Sequence, residues 1–149
     1  MIFGIGTDVV DINRIKSMDS LSTFANKILS ENEINVFSDL EEKKQATYLS
    51  KQFAGKEAIS KAIGTGISGD IKFKEIEILR DERGRPIFNP VENLKEVLAN
   101  LGITKTHVSL SDEKDYAIAF AILEKWRILF YLVPQELEKE LKQIWYAIY

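Results

Sequence analysis

Residues 53–67, FAGKEAISKAIGTGI, read as the last turns of a helix running into a glycine-rich turn. Phe53, Glu57 and Lys61 are spaced four apart, so an acid and a base share one side of that helix with an apolar ring. Upstream, Ala46, Leu49, Phe53 and Ile63 fit one long helix over residues 41–63 that Gly64 ends. A carboxylate on an apolar face needs a partner or a metal. The plainer alternative is an exposed i, i+4 ion pair, which stabilises a helix by about 0.3–0.5 kcal/mol.

Toward the N-terminus, MIFGIGTDVVD (1–11) alternates like a strand, with Phe3, Ile5, Thr7 and Val9 on one face and Ile2, Gly4, Gly6 and Asp8 on the other. The two glycines clear the floor beside Asp8, and a ligand lying against the backbone is the expectation there. Asp8 can equally be a strand-end helix cap, although Asp11 is better placed for that role. Two or three short helices follow, with start signals at Ser22 and at Ser30, where Glu33 completes a capping box.

Toward the C-terminus, DIKFKEIEILRDERGRPIF (70–88) shows strand spacing at Ile71 and Phe73 and then, after a change of phase near Lys74, at Ile76 and Ile78. DERGRP marks a hairpin turn. NPVENLKEVLANLG (89–102) predicts a helix with Pro90 near its first turn and Gly102 just past its end. THVSLSDEKDYAIAFAILE (106–124) predicts two strands joined by a turn near residues 112–114. Strand, helices, strands, helix, strands is the order of an α+β fold. The tail at 127–149 places Leu137, Leu141, Ile144, Trp145 and Ile148 on one face of an amphipathic helix that starts near Pro134. That helix is expected to pack on the domain or on a neighbouring subunit.

Composition narrows the chemistry. A chain of 149 residues, 45% hydrophobic and 29% charged, is the size of one globular domain with a real core. With no cysteine and one histidine, disulfides, thiolate nucleophiles and multi-His or sulfur-ligated metals are excluded. Any metal must be held by oxygens, which favours magnesium. A net charge of −3 argues against broad nucleic-acid binding. The longest apolar run, residues 128–133, is far too short to span a membrane, and no secretory-type segment opens the chain, so a cytoplasmic setting is expected.

Asp8 and Glu57, from different elements, can together hold one magnesium while substrate phosphates complete its shell, with Lys61 facing those phosphates. Backbone amides of Gly64, Thr65 and Gly66 can form a nest, although the helix C-terminus behind them repels anions. His107, Ser109 and Ser111 make a polar stripe on one strand face, and no paired His and Asp motif supports a serine triad.

Four segments, GIGTDVVDINRI (4–15), FAGKEAISKAIGTGI (53–67), IEILRDERGRP (76–86) and HVSLSDEKDYAIAFAILE (107–124), together resemble the holo-[acyl-carrier-protein] synthases, the small bacterial 4'-phosphopantetheinyl transferases. The resemblance implies a transferase-like α+β domain over 1–126, an antiparallel sheet packed with a long helix, followed by an extension at 127–149. It implies magnesium-dependent transfer of the phosphopantetheine arm of coenzyme A to a serine of apo acyl carrier protein, releasing adenosine 3',5'-bisphosphate, in fatty acid biosynthesis. Asp8 and Glu57 would bind the metal, and Lys61 would lie at the coenzyme A phosphates. Gly64, Thr65, Gly66 and Ile67, Gly84, Arg85 and Pro86, and His107 and Ser109 would line the coenzyme A site. Lys43 and Lys44, from a neighbouring subunit of a homotrimer, would meet the adenosine 3'-phosphate. Arg14, Met18, Leu21 and Phe24 would dock the carrier protein.

Three departures stand out: Gln52 where the family usually carries Arg, a first-helix region (12–29) with a net charge of only +2, and the extension itself. The rival readings are a non-catalytic module binding coenzyme A or carrier protein, and a magnesium-dependent pyrophosphate hydrolase.

Overall fold

The computed structural model describes residues 1–68, 71–91 and 93–126. The amphipathic helix expected at 127–149 lies outside the described residues. In chain order the elements are β1 (Ile2–Asp11), α1 (Ile12–Lys16), α2 (Leu21–Ile28), α3 (Glu31–Ser38) and α4 (Glu42–Ile63). A 3-10 turn (Phe73–Glu75), β2 (Ile76–Arg80), β3 (Pro86–Pro90), α5 (Asn93–Asn100), β4 (Ile103–Asp112) and β5 (Tyr116–Lys125) follow. The strands form an antiparallel sheet of order β1-β5-β4 and a separate β2-β3 hairpin, the expected α+β arrangement.

Local chemistry sets most boundaries. Asp11 caps α1, its side chain accepting from the Asn13 amide at 2.8 Å. The capping box at α3 forms in full: the Ser30 hydroxyl accepts from the Glu33 amide, and the Glu33 carboxylate accepts from the Ser30 amide at 2.7 Å. Gly64 ends α4 in the left-handed conformation, with φ 95°.

Three expectations need correction. The cap of α2 is Ser20 rather than Ser22, because Ser20 holds the extended backbone that lets its hydroxyl accept from the Thr23 amide, while Ser22 is already helical. The stretch at Ile71 and Phe73 is not a strand. The buried ammonium of Lys56 takes the Phe73 carbonyl at 2.9 Å and the Ile76 carbonyl at 2.5 Å, and the chain bends into a 3-10 turn around it. Pro90 ends β3 opposite Ile76, and α5 begins only at Asn93.

The contact that organises the rest is α4 against the sheet. Ala54, Ala58 and Ala62 form a buried row on the helix, and Gly4, Gly6, Ala117, Ala119 and Ala121 form the floor beneath it. A Cβ on Gly6 would overlap the Ala58 carbonyl oxygen, and one on Gly4 would overlap that of Ala62. The cleared face beside Asp8 therefore receives a helix, not a ligand, correcting the expectation drawn from the glycines. A second tie is the fully buried Lys56–Glu33 pair at 2.7 Å. Glu33 also accepts from the Ile78 amide at 2.8 Å, so one carboxylate joins α3, α4 and β2.

The opposite sheet face is open and apolar. Rows of Ile5–Ile122–His107, Thr7–Phe120–Ser109 and Val9–Ile118–Ser111 cross it, with Ile5 59% and Val9 57% exposed. Gly6→Ala is expected to destabilise the fold by about 3 kcal/mol or more, the upper end for overpacking, because backbone rather than a side chain must yield. Urea unfolding measures this, and an unchanged midpoint would contradict the close approach.

Candidate functional site

Asp8 and Lys61 meet at the β1 edge of the sheet. β1 carries Asp8 on the face turned toward α4, one strand repeat beyond Gly6, and Lys61 lies in the last turn of the helix crossing above. The Lys61 ammonium donates to Asp8 Oδ1 at 2.8 Å and to the Thr7 carbonyl at 3.0 Å. Lys61 remains about half exposed and Asp8 mostly covered. The ion pair therefore runs between elements, not along the helix from Glu57 to Lys61.

Glu57, one turn back on α4, is half-buried beside them. Burial pushes its carboxyl above the usual carboxylate range, the negative charge of Asp8 adds to that rise, and Lys61 opposes it. Two carboxylates and one ammonium gathered at this edge form a donor set that suits a hard cation and an anionic ligand. Among the described residues, no third His, Cys, Asp or Glu joins them into a metal-ligating group. The loop carrying Gly64, Thr65, Gly66 and Ile67 follows directly from the Lys61 turn, with Gly64 and Gly66 at positive φ and Thr65 Oγ1 donating to the Gly66 carbonyl.

The remaining expected residues lie elsewhere. Lys43 and Lys44 occupy the first turn of α4, both paired with Glu41. Lys44 and Lys61 are seventeen residues apart, about 25 Å along the helix axis. Gly84 and Arg85 lie in the β2-β3 turn and Pro86 opens β3, and Arg85 pairs with Asp81 at 3.1 Å. His107 and Ser109 stand on the open sheet face, and His107 meets Glu124 at 2.7 Å, which holds the Glu124 carboxyl below its usual range. Arg14, Met18, Leu21 and Phe24 line α1, α2 and the turn between them, Arg14 exposed and the three apolar residues half-buried.

A cleft of about 300 Å³ lies between α4, the β2-β3 hairpin and β4, bounded in part by Tyr48, Lys51, Gln52, Arg80, Pro86 and Leu110. Gln52 is buried, donating to Tyr48 Oη at 2.9 Å and the Ile78 carbonyl at 3.0 Å, while its own Oε1 finds no partner among the described residues. Lys51 is tied to Asp112 at 2.7 Å. Burial pushes the Tyr48 hydroxyl up to about 12. Tyr48, which borders the cleft, and Lys56, which clamps the core beside it, are not marked by the apolar helical periodicity. Their signal was present: Tyr48, Gln52, Lys56 and Ser60 are four apart, a second polar row on the same helix, which an amphipathic reading assigns to solvent.

Glu57 yields a prediction. Its raised carboxyl means the folded chain keeps this proton to higher pH than the unfolded chain, whose value is about 4.3. The stability it contributes is full below the unfolded value and is lost as pH rises through the folded one. In metal-free buffer, Glu57→Gln should raise the Tm at about pH 7, with the gain vanishing near about pH 4. A lower Tm than the parent at neutral pH would contradict the burial argument.

The 4'-phosphopantetheinyl transferase superfamily profile matches residues 4–121. The holo-[acyl-carrier-protein] synthase of Orientia tsutsugamushi is 43% identical over 127 residues, covering 83% of this chain and 97% of that one. That of Photobacterium profundum is 41% identical, covering 83% and 98%. Among solved structures, the Neisseria meningitidis holo-[acyl-carrier-protein] synthase superposes with a TM-score of 0.77 at 40% identity, covering 84% of this chain and all of that one. The Bacillus anthracis enzyme in complex with CoA (3',5'-ADP) gives 0.73 at 38%, covering 85% and 99%.

Proposed function

The chain belongs to the 4'-phosphopantetheinyl transferase superfamily, and we propose that Asp8, Glu57 and Lys61 are the centre at which it works. It is an enzyme of the holo-[acyl-carrier-protein] synthase kind, moving the 4'-phosphopantetheine arm of coenzyme A to a serine of apo acyl carrier protein. The observation that carries the residue assignment is the Asp8–Lys61 pair at 2.8 Å, with the half-buried Glu57 carboxyl one helical turn away.

Transfer joins the serine oxygen to the phosphorus nearer the pantetheine arm and breaks the bridging P–O bond, so adenosine 3',5'-bisphosphate leaves. Attack on a pyrophosphate meets charge repulsion, and Lys61, half-exposed and able to pivot from Asp8, offsets it as the leaving phosphate gains charge. Glu57 stands one helical turn from Lys61, placed to receive the serine proton directly or through a water. Asp8 and Glu57 would hold a magnesium ion, which when bound neutralises phosphate charge. Their crowded negative charge supports that fit. Among the described residues no helix is long and apolar enough to cross a membrane. The setting proposed for the transfer is fatty acid biosynthesis in the cytoplasm, by likeness to the family.

The second part of the proposal is a homotrimer with sites shared between chains. In coenzyme A the pyrophosphate and the 3'-phosphate hang on one ribose, yet Lys61 and the Lys43–Lys44 pair are about 25 Å apart on α4. The cleft at Gln52 and Pro86 borders β4, and Asp8 lies on β1, at opposite edges of the sheet. A head-to-tail ring brings one edge to the other and covers the open Ile5–Ile118–Phe120 face.

Incubation with magnesium, coenzyme A and apo carrier protein, read by intact mass, tests the chemistry. Carrier modification separates transfer from mere binding or from hydrolysis. Asp8→Ala and Glu57→Ala should each reduce transfer about 100-fold or more while the chain stays folded, and near-parental rates would remove the shared centre. For the assembly, mixing Glu57→Ala chains with Lys43→Ala/Lys44→Ala chains should restore about a quarter of the sites, since one interface in four then pairs two intact halves. Mixed trimers without regained activity would place each site within one chain.

A further inference from the structure

We propose that the carrier-docking surface does not end at α1 and α2 but continues onto the 3-10 turn at Phe73–Glu75, with Lys72 and Lys74 as a second basic arm that fits an acidic carrier protein. This rests on the docking reading of Arg14, Met18, Leu21 and Phe24.

Three aromatic rings carry the surface across. Phe24 of α2 lies 5.6 Å from Phe53 of α4, and Phe53 lies 5.4 Å from Phe73, centroid to centroid. All three are only half-buried, so the ladder has a free edge. Phe53 stands four residues before Glu57, about 6 Å along the helix, so the ladder borders the row where the serine must arrive. An apolar centre of Met18, Leu21 and these rings, rimmed by charge, has the anatomy of a protein interface.

The rim is basic on both sides. Arg14, Lys16 and Lys27 stand exposed on α1 and α2, and Lys72 and Lys74 stand exposed on either side of Phe73. The acids within these elements are Asp19, exposed, and Glu75, which is buried and meets Lys72 at 3.6 Å. These five cations against two acids make a local charge of +3 on a chain whose total is −3. Among the described residues Lys74 has no such partner across the turn, and its neighbour Lys56 is turned inward to Glu33 and the carbonyls of Phe73 and Ile76. That buried clamp fixes the 3-10 turn, so Lys74 is presented on a rigid support rather than on a loose loop. The sparse charge of the first-helix region is thereby supplemented from a segment some fifty residues further along the chain.

The test uses the full chain and a purified acidic acyl carrier protein. Lys74→Glu, with Lys72→Gln/Lys74→Gln as a milder second variant that spares Glu75 a like-charged neighbour, is compared with Arg14→Glu across a salt series. A rim charge acts mainly on encounter, so Lys74→Glu should lower kcat/KM for the carrier roughly tenfold at low salt, flatten its salt dependence, and leave the KM for coenzyme A and the Tm unchanged. Lys74→Arg should behave as the parent. Parental carrier kinetics in Lys74→Glu and the glutamine double variant, alongside impaired Arg14→Glu, would overturn the second arm while leaving docking on α1 and α2 in place. Parental kinetics in all three would overturn it together with the docking reading.

Discussion

The distance between α4 and the sheet governs this molecule. Gly4 and Gly6 beneath the carbonyls of Ala58 and Ala62 leave no room for a Cβ, so helix and strand meet backbone to backbone. Close approach shortens every cross-element reach: Lys61 can stretch from the helix to both Asp8 and the Thr7 carbonyl only because its turn lies so near β1. The same packing half-buries Glu57, and that burial is the leading reason its carboxyl favours the proton. The chemistry proposed at the β1 edge thus depends on residues that carry no chemistry.

At the other side of α4 a buried charge does the locating. Lys56 and Glu33 are both fully removed from solvent, and each has further hydrogen-bond partners, the condition under which a buried pair is tolerated. Removing either partner leaves an unpaired charge in the core, which costs about 3–5 kcal/mol. Because Glu33 is also the third residue of the α3 capping box, one side chain couples the start of a short helix to the middle of the long one. Burial pulls the Lys56 ammonium below its usual range, with Glu33 opposing that fall. Its neighbour in sequence, Glu57, faces the other way, so adjacent residues on α4 divide between holding the fold and serving the site.

The two ends of α4 point to a division of the ligand as well. Catalytic candidates gather where the helix ends, and the exposed lysines where it begins, too far apart to grip one nucleotide from the same chain. An open sheet face bearing Ile5, Val9, Ile118 and Phe120 is expensive to leave in water, and in the proposed ring a second copy would cover it and join the two halves. Gln52 fits this picture as a neutral group beneath the Tyr48 and Pro86 cleft, its free Oε1 an acceptor where a guanidinium could only donate.

Sequence alone determined the local elements, since each rests on short-range chemistry. The alternation of residues 2–11, the Ser30–Glu33 box, the Asp11 cap, the Gly64 stop and the hairpin at 81–86 all formed as their residue types require. It also put Phe53, Glu57 and Lys61 on one helix face and supplied the motifs by which the family was recognised. Partners across space were not legible. Gly4 and Gly6 announce a bare floor but not whether a helix or a ligand lies on it, and Lys61 has acids available both along the helix and across to β1. Lys56 reads as a surface lysine until the core closes over it, and the 3-10 turn at Phe73 exists because that lysine takes two of its neighbouring carbonyls. Periodicity fixes the direction in which a side chain leaves the backbone. Only the packing of α4 on the sheet fixes what it meets, because that distance is set by small residues far apart in the chain.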